Sequence, residues 1–156
     1  MRNRARGLLI ENGKLLLMHR IKNVDEYYVV PGGGIEDDED LKSSIIRELK
    51  EEVGIDVKIL DDEPIMQLSE EKGTQYFMLV ERIGGKIGTG NGPEFNSDTY
   101  ASRGIYSTEM IKLEDIISGK VNMVPVFIRN EFIDIIVGLN KDFSSLNSID
   151  LIECSL

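Results

Sequence analysis

Cysteine, histidine and long apolar runs are scarce in this sequence. One cysteine and one histidine occur among 156 residues, so the chain can form no internal disulfide and has no Cys or His cluster of the kind that binds zinc. No apolar run approaches the roughly 20 residues of a membrane-spanning helix. We therefore expect no membrane partner, and reducing surroundings fit the cysteine content.

Basic charge is also in short supply. The chain has 18 Lys and Arg residues against 28 Asp and Glu residues, a formal net charge of −10. Since nucleic-acid binding relies on Lys and Arg to offset phosphate charge, a polynucleotide partner is disfavoured. An acidic protein that handles phosphate groups needs another source of positive charge, and a divalent cation held by its own carboxylates would supply it.

The chain length favours a single globular domain over residues 1–156. With 41% hydrophobic residues, a chain of this size buries roughly 70% of its unfolded surface. Residues 1–6 are basic like the start of a signal peptide, but the apolar run 8–10 ends at Glu11 and is too short for one. We expect a cytoplasmic protein.

Alternating apolar residues and turn signals predict several strands. An Asn12-Gly13 turn separates strands at 5–10 and 14–20, and the glycine run after Pro31 predicts a bent loop that exposes its backbone. Further strands are predicted at 27–30, 57–60, 65–68, 75–83 and 105–110, with a glycine-rich loop at 84–96.

Two segments have the apolar spacing of helices. They are 38–53, which Gly54 would end, and 126–139. Strands accompanied by one helix in the first half and one near the end predict an α/β fold, in which two helical layers enclose a mixed sheet. The tail after residue 140 has no clear period.

The first helix carries three carboxylates where a helix alone would not favour them. Glu48, Glu51 and Glu52 follow one border of the apolar stripe, close enough to repel each other. They also crowd the C-terminal end, where the helix dipole is already negative. A solvated acidic face is the alternative interpretation. A bound cation would reverse both penalties, and oxygen ligands suit Mg²⁺ or Mn²⁺.

The spacing around these carboxylates resembles the signature of the Nudix hydrolase family, Gly-X5-Glu-X7-Arg-Glu-U-X-Glu-Glu-X-Gly-U with U aliphatic. All nine defined positions agree. The matching residues are Gly33, Glu39, Arg47, Glu48, Leu49, Glu51, Glu52, Gly54 and Ile55.

The resemblance implies a Nudix-type α/β/α sandwich with a loop-helix-loop catalytic element. It also implies a hydrolase that depends on Mg²⁺, with Mn²⁺ as an alternative. The substrate would be a nucleoside diphosphate linked to another moiety, such as a nucleoside triphosphate, an oxidised one included, or a nucleotide sugar. Homodimers are common among the proteins it resembles, so a homodimer is a further expectation.

Carried over by position, the three box carboxylates would bind the metal together with the backbone carbonyl of Gly32 or one near it. Glu48 is also a candidate to orient or deprotonate the attacking water. Arg47 would act with Glu39 to hold carboxylates in place by ion pairing. Asp38 stands where many members have glycine; we expect it to tolerate a left-handed backbone and to cap the helix.

Residues outside the helix complete the predicted site. Glu94, in the glycine-rich stretch, resembles an additional carboxylate that many members bring from a loop; a solvated loop residue is the alternative. Gly33 and Gly34 are predicted substrate contacts, as is Arg20, for which a surface or packing role is the alternative.

Three other functions fit these residues less well than hydrolysis. A Nudix-like domain that binds a nucleotide without turning it over usually lacks box carboxylates, and none is missing here. The glycines near Glu94 lack the Gly-Lys-[Ser/Thr] of a phosphate-binding loop. The acidic runs lack the spacing of a calcium-binding loop. A complete box therefore favours catalysis.

Overall fold

The computed structural model describes residues 2–90, 105–139 and 143–155. Each predicted strand and helix is present, with ends displaced by up to three residues. The strands are β1 (Arg4–Glu11), β2 (Lys14–Lys22), β3 (Asp25–Val29), β4 (Gly32–Gly34), β5 (Ile55–Ile59), β6 (Met66–Glu70), β7 (Gly73–Gly85) and β8 (Ile105–Lys112). The α-helices are α1 (Leu41–Glu52), α2 (Leu113–Ile117), α3 (Val126–Leu139) and α4 (Ser148–Ser155).

Strand β1 is the centre of a mixed sheet. It pairs in parallel with β7, and antiparallel with β4 along its first half and with β2 at its far end. β2 also pairs with β3 and β8, and β7 also pairs with β5 and β6. The β1–β2 connection is the predicted tight turn, because Asn12 and Gly13 both have the positive φ that such hairpins require.

Alternation along the central strands builds two cores. On β1, Leu8 and Ile10 face one side of the sheet, and Ala5 and Leu9 face the other. Helix α1 covers the second side, and the segment from α2 to α4 covers the first. Since both faces are apolar, both need a helical layer. The predicted α/β/α sandwich is thus the observed architecture.

Two local predictions around α1 were wrong. The glycine run is strand β4, not a bent loop, because Gly33 pairs with Ala5 of β1. Asp38 lies before the helix and has no positive φ. Asp40 is the cap instead: its Oδ1 accepts the Ser43 N–H at 2.7 Å, which starts the helix at Leu41.

Residues 143–155, the part of the tail that the structure describes, contain regular structure that the sequence pattern does not indicate. A 3₁₀ turn at Phe143–Ser145 leads into α4. The Ser148 hydroxyl lies within hydrogen-bond distance of the Ile10 and Val80 carbonyls, and Leu151 is buried. Tertiary contacts hold a segment that is too short for a periodic signal. No helix in the described ranges is long and apolar enough to cross a membrane.

Candidate active site

Helix α1 lies very close to β1. Ile45 and Leu49 are fully buried, and a Cβ placed on Gly7 would lie only 2.7 Å from Leu49 Cδ1. The absence of a side chain at Gly7 therefore lets α1 approach the sheet. This packing fixes the distance between strand β4 and the side of α1 that carries Glu48, Glu51 and Glu52.

Two of the predicted carboxylates reach β4. The Gly32 N–H donates to Glu52 Oε2 at 3.0 Å. A Cβ on Gly33 would lie 2.6 Å from Glu48 Cδ, so the Glu48 carboxylate occupies the space beside that glycine. Gly32 itself has φ +151°, and a Cβ there would collide with the Ala5 carbonyl. The glycines thus bring backbone within reach of the carboxylates.

Arg47 ties the acidic residues together. Its Nε and Nη2 donate to the two oxygens of Glu39 at 2.6 and 2.8 Å, the fork geometry that favours arginine over lysine. Nη1 lies 3.1 Å from Glu48 Oε1 and 3.3 Å from Glu51 Oε2. Nη2 also donates to the Gly34 carbonyl at 3.2 Å. One guanidinium therefore links two box carboxylates to β4 and to the loop before α1.

This pairing shapes the titration of the groups involved. The Arg47 guanidinium holds the pKa of the Glu39 carboxyl below its ordinary value, mainly through the hydrogen bonds between them. The same bonds raise the pKa of Arg47 further above its already high value. Both groups are therefore ionised at neutral pH, and Arg47 partly offsets the repulsion among the carboxylates.

A second arginine, Arg6 on β1, was missed by the sequence interpretation. It donates to Gln75 Oε1 and to the Val30 carbonyl, each at 2.9 Å. Burial lowers the pKa of Arg6, and the charges of Glu52 and Glu48 oppose that shift. The signal that could have found Arg6 is alternation along the strand. Arg6 shares with Leu8 the face of β1 that the segment from α2 to α4 covers.

The oxygen donors fit a hard divalent cation, although they are not gathered into a finished site. In the described part of the chain, no three Asp, Glu, His or Cys side chains are grouped so that they could hold a metal ion. Glu48 and Glu51 instead lie against Arg47, and Glu52 faces β4. The available donors are carboxylate and backbone oxygens, the set that Mg²⁺ and Mn²⁺ prefer.

The other predicted site residues have different surroundings. The guanidinium of Arg20 lies over the rings of Tyr106 and Tyr27, at 4.7 and 5.8 Å from their centroids. A Cβ on Gly34 would meet the guanidinium of Arg2. Substrate binding by Arg20, Gly33 and Gly34 stays a prediction. Glu94 lies outside the described residues.

The sequence profile described as NUDIX domain matches residues 1–102. The chain belongs to the Nudix family. It is a Nudix hydrolase, a pyrophosphohydrolase. Members of this family generally use divalent metal ions and act on small nucleotide derivatives. No curated protein matches the chain significantly by sequence.

Solved structures show that the Nudix fold extends beyond the matched segment. An ADP-ribose pyrophosphatase from Streptococcus suis is similar at TM-score 0.57 and 18% identity, covering 99% of this chain and 89% of that one. A MutT structure, from Aliivibrio salmonicida and Vibrio cholerae, gives a TM-score of 0.63 at 16% identity. The match covers 85% of this chain and 97% of that one. A UDP-X diphosphatase gives a TM-score of 0.56 at 12% identity, and the match covers 99% of this chain and 60% of that one.

The Glu48 carboxylate occupies the space that a side chain at position 33 would need. Gly33→Ala should lower kcat by about a hundred-fold, since displacing a positioned group by about 1 Å can cost that much. The free energy of unfolding should change by about 1 kcal/mol or less, because a flexible carboxylate can move aside. Steady-state kinetics and urea denaturation check both values.

Gly84→Ala is the matched control for this variant. A Cβ on Gly84 would also meet a carboxylate, at 3.2 Å from Asp56 Oδ2, but this carboxylate is paired with Lys50 and is not a predicted metal ligand. Its activity should equal that of the unaltered protein. Equal activity of the two alanine variants would show that the place of Glu48 beside Gly33 has no catalytic importance.

Proposed function

We propose that this Nudix hydrolase cleaves the diphosphate linkage of a nucleoside diphosphate joined to another moiety, using Mg²⁺ or Mn²⁺. The observation that carries the proposal is the convergence of a complete Nudix box on β4. Glu52 accepts the Gly32 N–H, and Glu48 lies beside Gly33. Arg47 pairs with the remaining carboxylate, Glu51.

Glu48, Glu51 and Glu52 would hold the cation, with the Gly32 carbonyl as a backbone ligand. When bound, a divalent cation offsets charge on the phosphoryl oxygens and lowers the pKa of a coordinated water. We assign the orientation of the attacking water, and acceptance of its proton, to Glu48. Its carboxylate is mostly shielded, with 13% of the side chain exposed, and is held by Arg47 at 3.1 Å.

Arg47 is a positioning residue in this mechanism. It keeps Glu48 and Glu51 from separating under their mutual repulsion, and its fork to Glu39 fixes the guanidinium. Glu94 is proposed as an additional ligand or base. Diphosphate hydrolysis needs alignment and charge compensation more than covalent chemistry from the protein, so such positioning has a direct effect on rate.

The proposed substrate class is broader than one compound. The similar structures are named as an ADP-ribose pyrophosphatase, a MutT and a UDP-X diphosphatase. Two of these names, ADP-ribose and UDP-X, contain a nucleoside diphosphate with a different group attached. Since specificity depends on residues outside the box, the fold does not select among them.

The test is a substrate panel with controlled metal. Nucleoside triphosphates, ADP-ribose and nucleotide sugars would each be incubated with the protein and Mg²⁺, Mn²⁺ or EDTA. We expect turnover of at least one class with a divalent ion, cleavage between the phosphorus atoms, and none in EDTA. Tight nucleotide binding without turnover of any compound would instead identify a non-catalytic nucleotide-binding domain.

A further inference from the structure

Three arginines occupy alternate positions around the start of β1, which begins at Arg4. Arg2, Arg4 and Arg6 precede Leu8 at intervals of two, which places them on one face of the strand. Lys72 joins them from the β6–β7 turn, where its carbonyl accepts the Arg2 N–H at 2.8 Å. These four side chains, which we call the arginine stripe, line one cavity of about 690 Å³.

The charge of this cavity is opposite to that of the protein. Its lining holds the four cations of the stripe and two carboxylates, Glu70 and Glu71, in a chain of net charge −10. Across the described residues, Arg2, Arg4 and Lys72 form no salt bridge. By contrast, Arg47 and Arg82 each form a fork with a glutamate. With four cations and two carboxylates, the lining keeps an excess of two positive charges, which a phosphate ligand would offset.

The arginine stripe lies on the face of β1 opposite helix α1, and it meets the Nudix site through the backbone of β4. Arg4 is paired across the sheet with Gly34, whose carbonyl accepts from Arg47. Arg6 is paired with Gly32, whose N–H donates to Glu52. Alternate strand residues are roughly 6.6 Å apart, so the stripe extends about 13 Å away from Arg6. A stripe of that length can contact a phosphate group that lies apart from the diphosphate at the box.

We propose that Arg2 and Arg4, assisted by Lys72, bind a phosphate group of the substrate that is additional to the cleaved linkage. The enzyme then prefers substrates that carry such a group, either as the terminal phosphate of a polyphosphate chain or as a phosphate monoester on the attached moiety. Charge-assisted hydrogen bonds from guanidinium groups to phosphate oxygens supply the recognition. This inference rests on the proposed cleavage at the Nudix box.

The kinetic test uses the double variant Arg2→Gln/Arg4→Gln and matched substrate pairs. The pairs are a nucleoside triphosphate with its diphosphate, and a nucleotide sugar with and without a phosphate monoester. We expect kcat/KM for the phosphate-rich member to fall about ten-fold to a hundred-fold per arginine, mainly through KM. The other member should change less than about three-fold. The pair that responds identifies which phosphate is bound.

Lys58→Gln is the matched control, since Lys58 is an exposed cation on β5, away from the stripe. It should leave kcat/KM unchanged for every substrate. Equal losses for both members of each pair, or no loss in the double variant, would overturn the proposal.

A binding measurement separates this inference from catalysis. Calorimetry with tripolyphosphate in EDTA and low salt should show binding to the unaltered protein and to Lys58→Gln. The affinity of the double variant for tripolyphosphate should be at least ten-fold lower. No binding, or equal binding by all three, would refute the arginine stripe as a phosphate site even if hydrolysis is found. Selective binding without any hydrolysis would instead reject the proposed function and leave the stripe in place.

Discussion

Glu52→Gln should lower kcat by about a thousand-fold while leaving the fold intact. The substitution removes one ligand charge from the proposed metal site, and losing such electrostatic stabilisation costs two to three orders of magnitude in rate. Packing should not change, because the amide has the same shape and its oxygen can still accept the Gly32 N–H. Turnover with Mg²⁺ and the circular dichroism spectrum are the measurements.

Glu63→Gln provides the control, since it neutralises an exposed glutamate between β5 and β6. It should retain full activity. Calorimetric titration with Mn²⁺ should show weaker binding to Glu52→Gln than to the control. Unaltered kcat in a folded Glu52→Gln protein would refute the assignment of this carboxylate to the metal.

Arg47→Lys should lower kcat by about a hundred-fold and the free energy of unfolding by about 2 kcal/mol. Lysine keeps the charge but cannot make both bonds to Glu39 and also reach Glu48 and Glu51. The arginine side chain is 25% exposed and that of Glu39 13%, so solvent compensates only part of the loss. Kinetics and chemical denaturation measure the two effects.

Arg82→Lys is the control that separates a loss of catalytic rate from a loss of stability. Arg82 makes a similar fork to Glu11, at 3.0 and 2.8 Å, between β7 and the far end of β1. Its replacement should cost comparable stability with no change in kcat. If both lysine variants lost stability and neither lost activity, Arg47 would be a structural residue only.

The box and its ion pairs could be predicted well because they are local. Arg47 and Glu51 are four residues apart on one helix, which brings them together in any fold that keeps α1. Signals that depend on distant partners were less informative. Three glycines after Pro31 have the composition of a loop, yet they form β4 because β1 offers its edge to them.

The arginine stripe illustrates the same limit. Alternation along residues 2–8 is visible in the sequence, but it does not reveal which strands lie beside β1. Only the pairing with β4 places Arg6 opposite Gly32 and within the electrostatic reach of Glu52. Helix α4 in the tail could not be predicted from the sequence either. It is stabilised by contacts with β1 and β7, and its own apolar spacing is not distinctive.

The sequence by itself determined the family, the acidic helix and the two-layered apolar pattern, because each depends on spacing within one segment. The tertiary structure decided where those carboxylates point and which backbone they meet. It also decided that positive charge collects on the face of β1 opposite α1 in a protein of net charge −10. The physical reason is that strand pairing joins residues far apart in the chain, and no local pattern specifies the partner.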